Sequence, residues 1–354
     1  MNKSEKTREL LTKHFETHPE LQIRDIFKYI FQSSFGCEHL VSSFEKVTEC
    51  IIAEYETIDK SSAPYIEALD GNYSRVYLSY MNTGLSAQTL GKLFFLSARK
   101  EPEGKTSLNE KIEVTKELVK ENILPFTAED FEKELNKWQA ENFPAVHHSE
   151  EFRKVYKPAY RVIANEYIPF LPLFANIDKM LSKGSVKLAV EGGSASGKTT
   201  LGKILESIYD CTVLHMDDFF LQPHQRTPER YKEIGGNVDR ERFLSEVLHP
   251  LSRNEDISYR RFDCSSMSIK KAEIIAPKQL TVIEGAYSMH PEFSKYYDLS
   301  VFLDITAETQ KKRILHRNTP EMATRFFNEW IPYENNYFSK TNVKEKCGLC
   351  IEIK

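Results

Sequence analysis

The sequence predicts two folded parts of different class: a parallel sheet covered by helices (α/β), preceded by a mainly α-helical domain. Three observations predict this. The chain has 354 residues, more than one hydrophobic core of ordinary size encloses. Its second half alternates short apolar runs with helical stretches, the pattern of parallel strands buried on both faces. Its first half repeats apolar residues at helical spacing, and clear strand alternation is scarce there.

Composition narrows the function classes. Hydrophobic residues make up 40% and charged residues 28%, the profile of a soluble globular protein. The net charge of −4 supplies no basic field for nucleic acid or an anionic membrane. Met1–Leu10 lacks the apolar core of a signal peptide, and no stretch reaches the ~18 apolar residues of a membrane helix. The most apolar region, Tyr167–Ile177, is broken by Pro169 and Pro172. Six cysteines without dense spacing fit a reducing cytoplasm. A cytoplasmic protein with no nucleic-acid or membrane partner is expected. Cys347 and Cys350 form a CxxC without a second pair nearby, and read as two ordinary thiols.

In the first part, residues 1–180, Ile23, Ile26, Phe27 and Ile30 recur at helical spacing. So do Leu40, Val41, Phe44, Val47, Ile51 and Tyr55. Thr127 followed by Asp130 reads as a capping box opening a helix that carries Phe131, Leu135 and Trp138 on one face. The aromatic-rich segments Tyr156–Tyr160 and Tyr167–Phe174 read as helical core; a ligand site and a homo-oligomer interface are the other uses open to them. His14, His18, His39, His147 and His148 show no metal-ligand spacing. The boundary is expected between Asn176 and Ser185, where Asp178, Lys179, Ser182, Lys183 and Gly184 interrupt the apolar pattern.

In the second part, residues 181–354, the apolar runs Lys187–Val190, Thr212–Met216, Leu280–Ile283 and Leu299–Leu303 are the predicted strands. Arg240–Leu251 and Thr306–His316 are among the helices between them. Gly192-Gly193-Ser194-Ala195-Ser196-Gly197-Lys198-Thr199 satisfies GxxxxGK[ST] between a predicted strand and a helix starting near Lys198. Glycines allow the tight turn that aims several N–H groups at phosphate oxygens, and the helix N-terminus adds its positive end. Gly192–Thr200 is therefore the expected ATP-binding segment. Lys198 would reach the β- and γ-phosphates, and the Thr199 hydroxyl would ligate Mg²⁺.

Four further motifs follow. His215-Met-Asp217-Asp218-Phe-Phe220 ends the second strand, where carboxylates reach the ligand-binding edge of a parallel sheet. Gly235-Gly-Asn-Val-Asp239 precedes the helix at Arg240, so Asp239 reads equally as that helix's N-cap and as a ligand to vicinal hydroxyls. Thr281-Val-Ile-Glu284-Gly285 is an apolar strand closed by a carboxylate. Lys311–Arg317 and Thr324–Pro332 are arginine-bearing; Arg313 and Arg317, four apart, share one helix face.

With these motifs, the chain from about Lys187 to Phe338 resembles the uridine kinase/phosphoribulokinase family of P-loop kinases, and in places nicotinamide riboside kinases. The resemblance implies Asp217 as the base that accepts the proton of the attacking hydroxyl, with Asp218 as its fallback. It implies Glu284 in the Mg²⁺ shell, Asp239 on ribose hydroxyls, and Arg313, Arg317 and Arg325 closing over the ligands. Phe262-Asp263-Cys-Ser-Ser-Met267 stands where uridine kinases carry Tyr-Asp-Phe-x-x-His. Phe262 remains able to stack on a ring, whereas Met267 cannot make a histidine's hydrogen bonds. The expected activity is transfer of the ATP γ-phosphate to a hydroxyl of a small molecule, with a nucleoside as the leading acceptor. Another metabolite alcohol, or a non-catalytic ATP-binding regulatory protein, are the alternatives.

Overall fold

The computed structural model describes residues 2–37 and 43–353; Leu40 and Val41, expected in a helix, and His39 lie outside the described residues. The chain divides into two compact units, Met1–Ala175 and Asn176–Lys354.

In the first unit the helical pattern is realised. Ile26, Phe27 and Ile30 are buried on the helix Ile23–Phe35, and Val47 and Ile51 on the helix Phe44–Tyr55. Thr127 caps the helix Ala128–Ala140, its hydroxyl accepting the Asp130 N–H at 3.0 Å. That helix buries Phe131, Leu135 and Trp138, and Trp138 stacks on Phe27 with ring centroids 4.6 Å apart.

A three-stranded antiparallel sheet joins these helices: β1 (Ile66–Ala68), β2 (Tyr73–Tyr77) and β3 (Tyr160–Ala164), in the order β1-β2-β3. Its strands carry no legible alternation because β2 buries Ser74 and Arg75 along with its apolar residues. Tyr160, read as part of a helical core, opens β3 instead. The Arg75 guanidinium survives full burial because Nη1 donates to Glu67 at 3.0 Å and Nε to Gln32 at 2.9 Å; an unpaired buried charge would cost several kcal/mol, on the order of 3–5. Glu67 also bonds His14. His14, His18 and Glu67 thus bring ligand-type atoms within 4.8 Å of one another, a grouping their sequence spacing does not announce.

The second unit is built on five parallel strands: β4 (Val186–Gly192), β5 (Cys211–His215), β8 (Leu280–Glu284), β9 (Leu299–Ile305) and β10 (Leu349–Ile353). Their order is β10-β9-β4-β8-β5. β4 is buried at six of seven positions and β8 at all five, as central strands covered on both faces must be. The edge strand β10 escapes sequence reading because only Ile351 is buried. A hairpin of β6 (Ile257–Asp263) and β7 (Ser268–Ile275) stands apart from the sheet. Among the described residues no helix is long and apolar enough to cross a membrane.

Candidate active site

The loop after β4 turns where side chains are excluded. Gly192 has φ +150°, and a Cβ there would lie 2.7 Å from the Leu303 carbonyl oxygen. Gly197 has φ +99° as the N-cap of the helix Lys198–Ile208; an L side chain is strained in this left-handed region. Gly192–Thr199 is thereby set at the C-terminal edge of a central strand and the N-terminus of a helix. Phosphate is held at such a place by backbone N–H groups and the helix dipole. Lys198 arches back over the loop, its Nζ donating to the Gly192 and Gly193 carbonyls, both at 2.9 Å.

Parallel register brings three strand ends level. Glu284, closing β8, is the register partner of Val190 on β4 and of His215 on β5. One oxygen of the buried Glu284 carboxylate, Oε1, accepts the Thr199 hydroxyl at 3.0 Å and lies 2.6 Å from His215 Nδ1. That hydrogen bond, ahead of the opposing effect of burial, raises the His215 pKa. A hydroxyl and a carboxylate oxygen side by side are the hard donors that Mg²⁺ prefers.

Asp217 sits in the turn Met216–Phe219 directly after β5. It is open to solvent and accepts no hydrogen bond among the described residues. Although the side chain reaches solvent, the protein packed around the turn desolvates the carboxylate in part, and this is the first cause of its raised pKa. The Lys198 ammonium opposes that rise, Glu284 adds to it, and His215 and Arg317 oppose it. These four groups therefore lie near enough to the Asp217 carboxylate to act on its charge. Asp218 differs: Tyr259 donates to it at 3.4 Å and Arg261 lies 3.8 Å away.

The arginines divide. Thr306 caps the helix Ala307–Arg317, from which Arg313 Nη1 donates to the Ala195 carbonyl at 3.1 Å. Arg317 lies over the Phe326 ring at 5.5 Å while acting on Asp217. Arg325 is exposed, 3.4 Å from Glu329 and over Trp330; no described contact brings it to the loop.

The residues expected on the acceptor side are occupied in packing and capping. Asp239 is buried and caps the helix at Arg240: Oδ1 accepts the Arg242 N–H at 3.1 Å, and Oδ2 accepts Gln225 Nε2 at 3.0 Å. Phe262 is buried on β6, with the Arg226 guanidinium 5.8 Å from its ring. Met267 lies exposed between β6 and β7 with φ +53°.

A phosphate loop, a pair of hard oxygen donors and an unbonded carboxylate therefore meet at one sheet edge. Residues 188–325 match the phosphoribulokinase/uridine kinase family. The fold is also similar to that of a possible uridine kinase from Bacillus stearothermophilus. That likeness has 18% identity over 51% of this chain and 98% of that one, with a TM-score of 0.39. A shikimate kinase from Bacteroides thetaiotaomicron is similar at 15% identity over 47% of this chain and 85% of that one, with a TM-score of 0.27. A search of curated proteins finds no significant match. The second unit thus has the parallel-sheet fold of P-loop kinases, and its residues 188–325 match that family.

Three residues around the Gly192–Thr199 loop escape sequence reasoning. His215 stands within the Asp217 motif, but its bond to Glu284 depends on strand register. Glu191, the one acid in β4, is fully buried and accepts the N–H groups of Gly192 (2.9 Å), Tyr287 (3.2 Å) and Met289 (3.0 Å) and the Tyr337 hydroxyl (3.0 Å). Its signal was visible: an acid inside an apolar run just before the loop. Burial pushes its pKa up to about 7 against these donors. Glu334, from the helix Ile331–Thr341, reaches Ser194 and has no local sequence signal.

Proposed function

We propose that this protein transfers the γ-phosphoryl group of ATP to a hydroxyl of a small molecule, with a nucleoside as the first acceptor class. The observation that carries the reading is Asp217. It is an accessible carboxylate with no protein hydrogen bond, beside the Lys198 ammonium and the Thr199–Glu284 pair. The acceptor oxygen bonds to the γ-phosphorus as the bond to the β–γ bridging oxygen breaks and ADP leaves. The hydroxyl proton passes to Asp217 Oδ. A carboxylate held above its usual pKa is a stronger base while it remains ionised, which suits that task.

The loop N–H groups and Lys198 bind and orient the phosphates. Thr199 and Glu284 would hold Mg²⁺, which supplies neutralisation of the phosphate charge when bound. Arg313 and Arg317 add positive charge from the lid side, with Arg325 as a further candidate on closure. Asp239 and Phe262 line the acceptor side in this reading, and a cytoplasmic location fits the substrate class.

A second acceptor class has its own support. Both Asp239 oxygens are engaged by Arg242 and Gln225, and Met267 replaces a base-reading histidine. These features favour a metabolite alcohol other than a pyrimidine nucleoside. A purely regulatory ATP-binding role would not require Asp217 at all.

The test is a screen of the full chain with ATP and Mg²⁺ against nucleosides and metabolite alcohols, read by ATP consumption and product mass. A product heavier by one phosphoryl group, absent with Lys198→Ala, is expected. Tight ATP binding with no phosphorylated alcohol from any candidate would sink the kinase reading in favour of the regulatory one.

A further inference from the structure

The first unit contains an open cleft of about 1150 Å³ whose walls come from residues 54–65 and 148–160 and from the helix Ile23–Phe35. Its size suits a small molecule, and its charge is unbalanced in a specific way. Lys28, Arg153 and Lys157 line it, and among the described residues none of the three is paired with a carboxylate. Among the described residues Lys28 donates only to the Val146 carbonyl, at 3.2 Å. Of the two acids in the lining, one is neutralised and the other keeps its charge but is engaged in local hydrogen bonds, so the cations remain in excess. Glu54 pairs with Arg161 at 2.8 Å. Asp59 accepts the Ser61 N–H at 2.9 Å and its hydroxyl at 2.7 Å.

The floor of the cleft is polar and hydrogen-bonded. His148 Nε2 lies 2.7 Å from the Tyr160 hydroxyl, and Asp25 fixes the ring from the other side at 2.8 Å. Behind the Tyr160 ring, at 4.8 Å, is the fully buried Arg75 guanidinium, whose Nη2 has no partner among the described residues. Tyr65, Tyr77 and Tyr160 form a continuous aromatic wall, with successive ring centroids 4.9 and 5.3 Å apart. An ordinary basic surface patch would have fully solvated cations. Here Lys28 is half-buried, and its pKa is driven down to about 8 by burial and then by the charges of Arg75 and Arg153. A bound anion would relieve that crowding.

We propose that this cleft is a ligand site for a small molecule bearing an oxyanion, a phosphomonoester or a carboxylate. The oxyanion is held by Lys28 and Arg153, and the hydroxylated or aromatic body lies against Tyr65 and Tyr77. The site is built from residues of the first unit and does not depend on the kinase reading.

Hydrogen exchange of the full chain, resolved by peptide, tests this without relying on activity. Inorganic phosphate, ribose 5-phosphate and citrate are the anionic probes, and ribose is the uncharged control. At least one anion should slow exchange in residues 54–65 and 148–160, while ribose should not. Whichever anion acts more strongly, ribose 5-phosphate or citrate, identifies the oxyanion. Lys28→Met and Arg153→Gln should each raise the half-saturating concentration about tenfold, the worth of one charge-assisted contact. Arg153 is exposed, so its variant carries the test if Lys28→Met fails to fold. No slowing with any anion up to roughly 10 mM, where binding free energy is already marginal, would overturn the proposal. So would equal slowing by ribose, or an effect unchanged in the variants.

Discussion

Glu334 holds Ser194 twice: its Oε2 accepts the Ser194 backbone N–H at 2.8 Å, and its Oε1 accepts the Ser194 hydroxyl at 2.6 Å. A helix more than a hundred residues downstream thus grips the phosphate loop with a carboxylate, the charge type that a triphosphate would also bring. Burial raises the Glu334 pKa, and the Lys198 ammonium opposes the rise, so Glu334 already draws on the charge that phosphates need. Replacing the carboxylate with the isosteric amide should therefore help nucleotide binding. Glu334→Gln is expected to tighten ATP binding several-fold, about 1 kcal/mol, in a direct nucleotide titration. Weaker binding would mean instead that Glu334 shapes the loop for its ligand.

Asp217 and Asp218 are adjacent in sequence and differ in surroundings. Asp218 is tied to Tyr259 and Arg261, whereas Asp217 has no protein partner among the described residues. Asp217→Asn should lower kcat by about 10²–10⁴, the usual worth of a general base, with ATP affinity within a factor of about three. Asp218→Asn should act mainly through the hairpin packing against it and lower kcat far less. Steady-state kinetics with nucleotide titration separates the two. Equal losses in kcat and ATP affinity for Asp217→Asn would remove it from the role of base.

How much of this was legible follows from where each signal resides. β4, β5, β8 and β9 were readable because strands covered on both faces are nearly continuous apolar runs. β10 was not, since it buries only Ile351. The Gly192–Thr199 loop was readable because its chemistry depends on contiguous residues. The Asp239 cap was readable too, because capping acts over three residues. The bond from Glu334 to Ser194 spans 140 residues, and the Glu284–His215 bond requires two strands to be adjacent and in register. Neither leaves a trace in local spacing. The antiparallel sheet of the first unit was hidden because Arg75 and Ser74 occupy core positions, so polarity and burial do not alternate together.

Glu284 joins Thr199 and His215 through a single oxygen, leaving the other for a cation or its water shell. Glu284→Gln keeps the shape and removes the charge. It should raise the Mg²⁺ concentration for half-maximal activity by about 10–100-fold, the range found when groups that orient a metal are replaced. Saturating Mg²⁺ should restore much of kcat. An unchanged Mg²⁺ requirement would confine Glu284 to a structural role at the end of β8.

Glu191 allows the pH dependence of stability to be assigned to one residue. Its pKa is about 7 in the folded protein against a usual 4.5, so between those values the native state holds a proton that the unfolded chain has lost. The stability this contributes is full below about pH 4.5, declines as pH rises through about 7, and is flat above that. Tyr337 is placed to accept a hydrogen bond from the neutral acid, because its hydroxyl can rotate. Glu191→Gln cannot titrate, and its amide N–H₂ faces donors where the carboxylate accepted, a cost of about 1–3 kcal/mol. The variant should therefore unfold more easily than the wild type, by a margin that is widest near pH 5 and narrows toward pH 7–8. Urea unfolding of both proteins across that range measures the margin directly. A margin that stays constant or widens with pH would mean that the three N–H groups and the Tyr337 hydroxyl keep Glu191 ionised throughout. Its titration would then lie below the range, despite the burial.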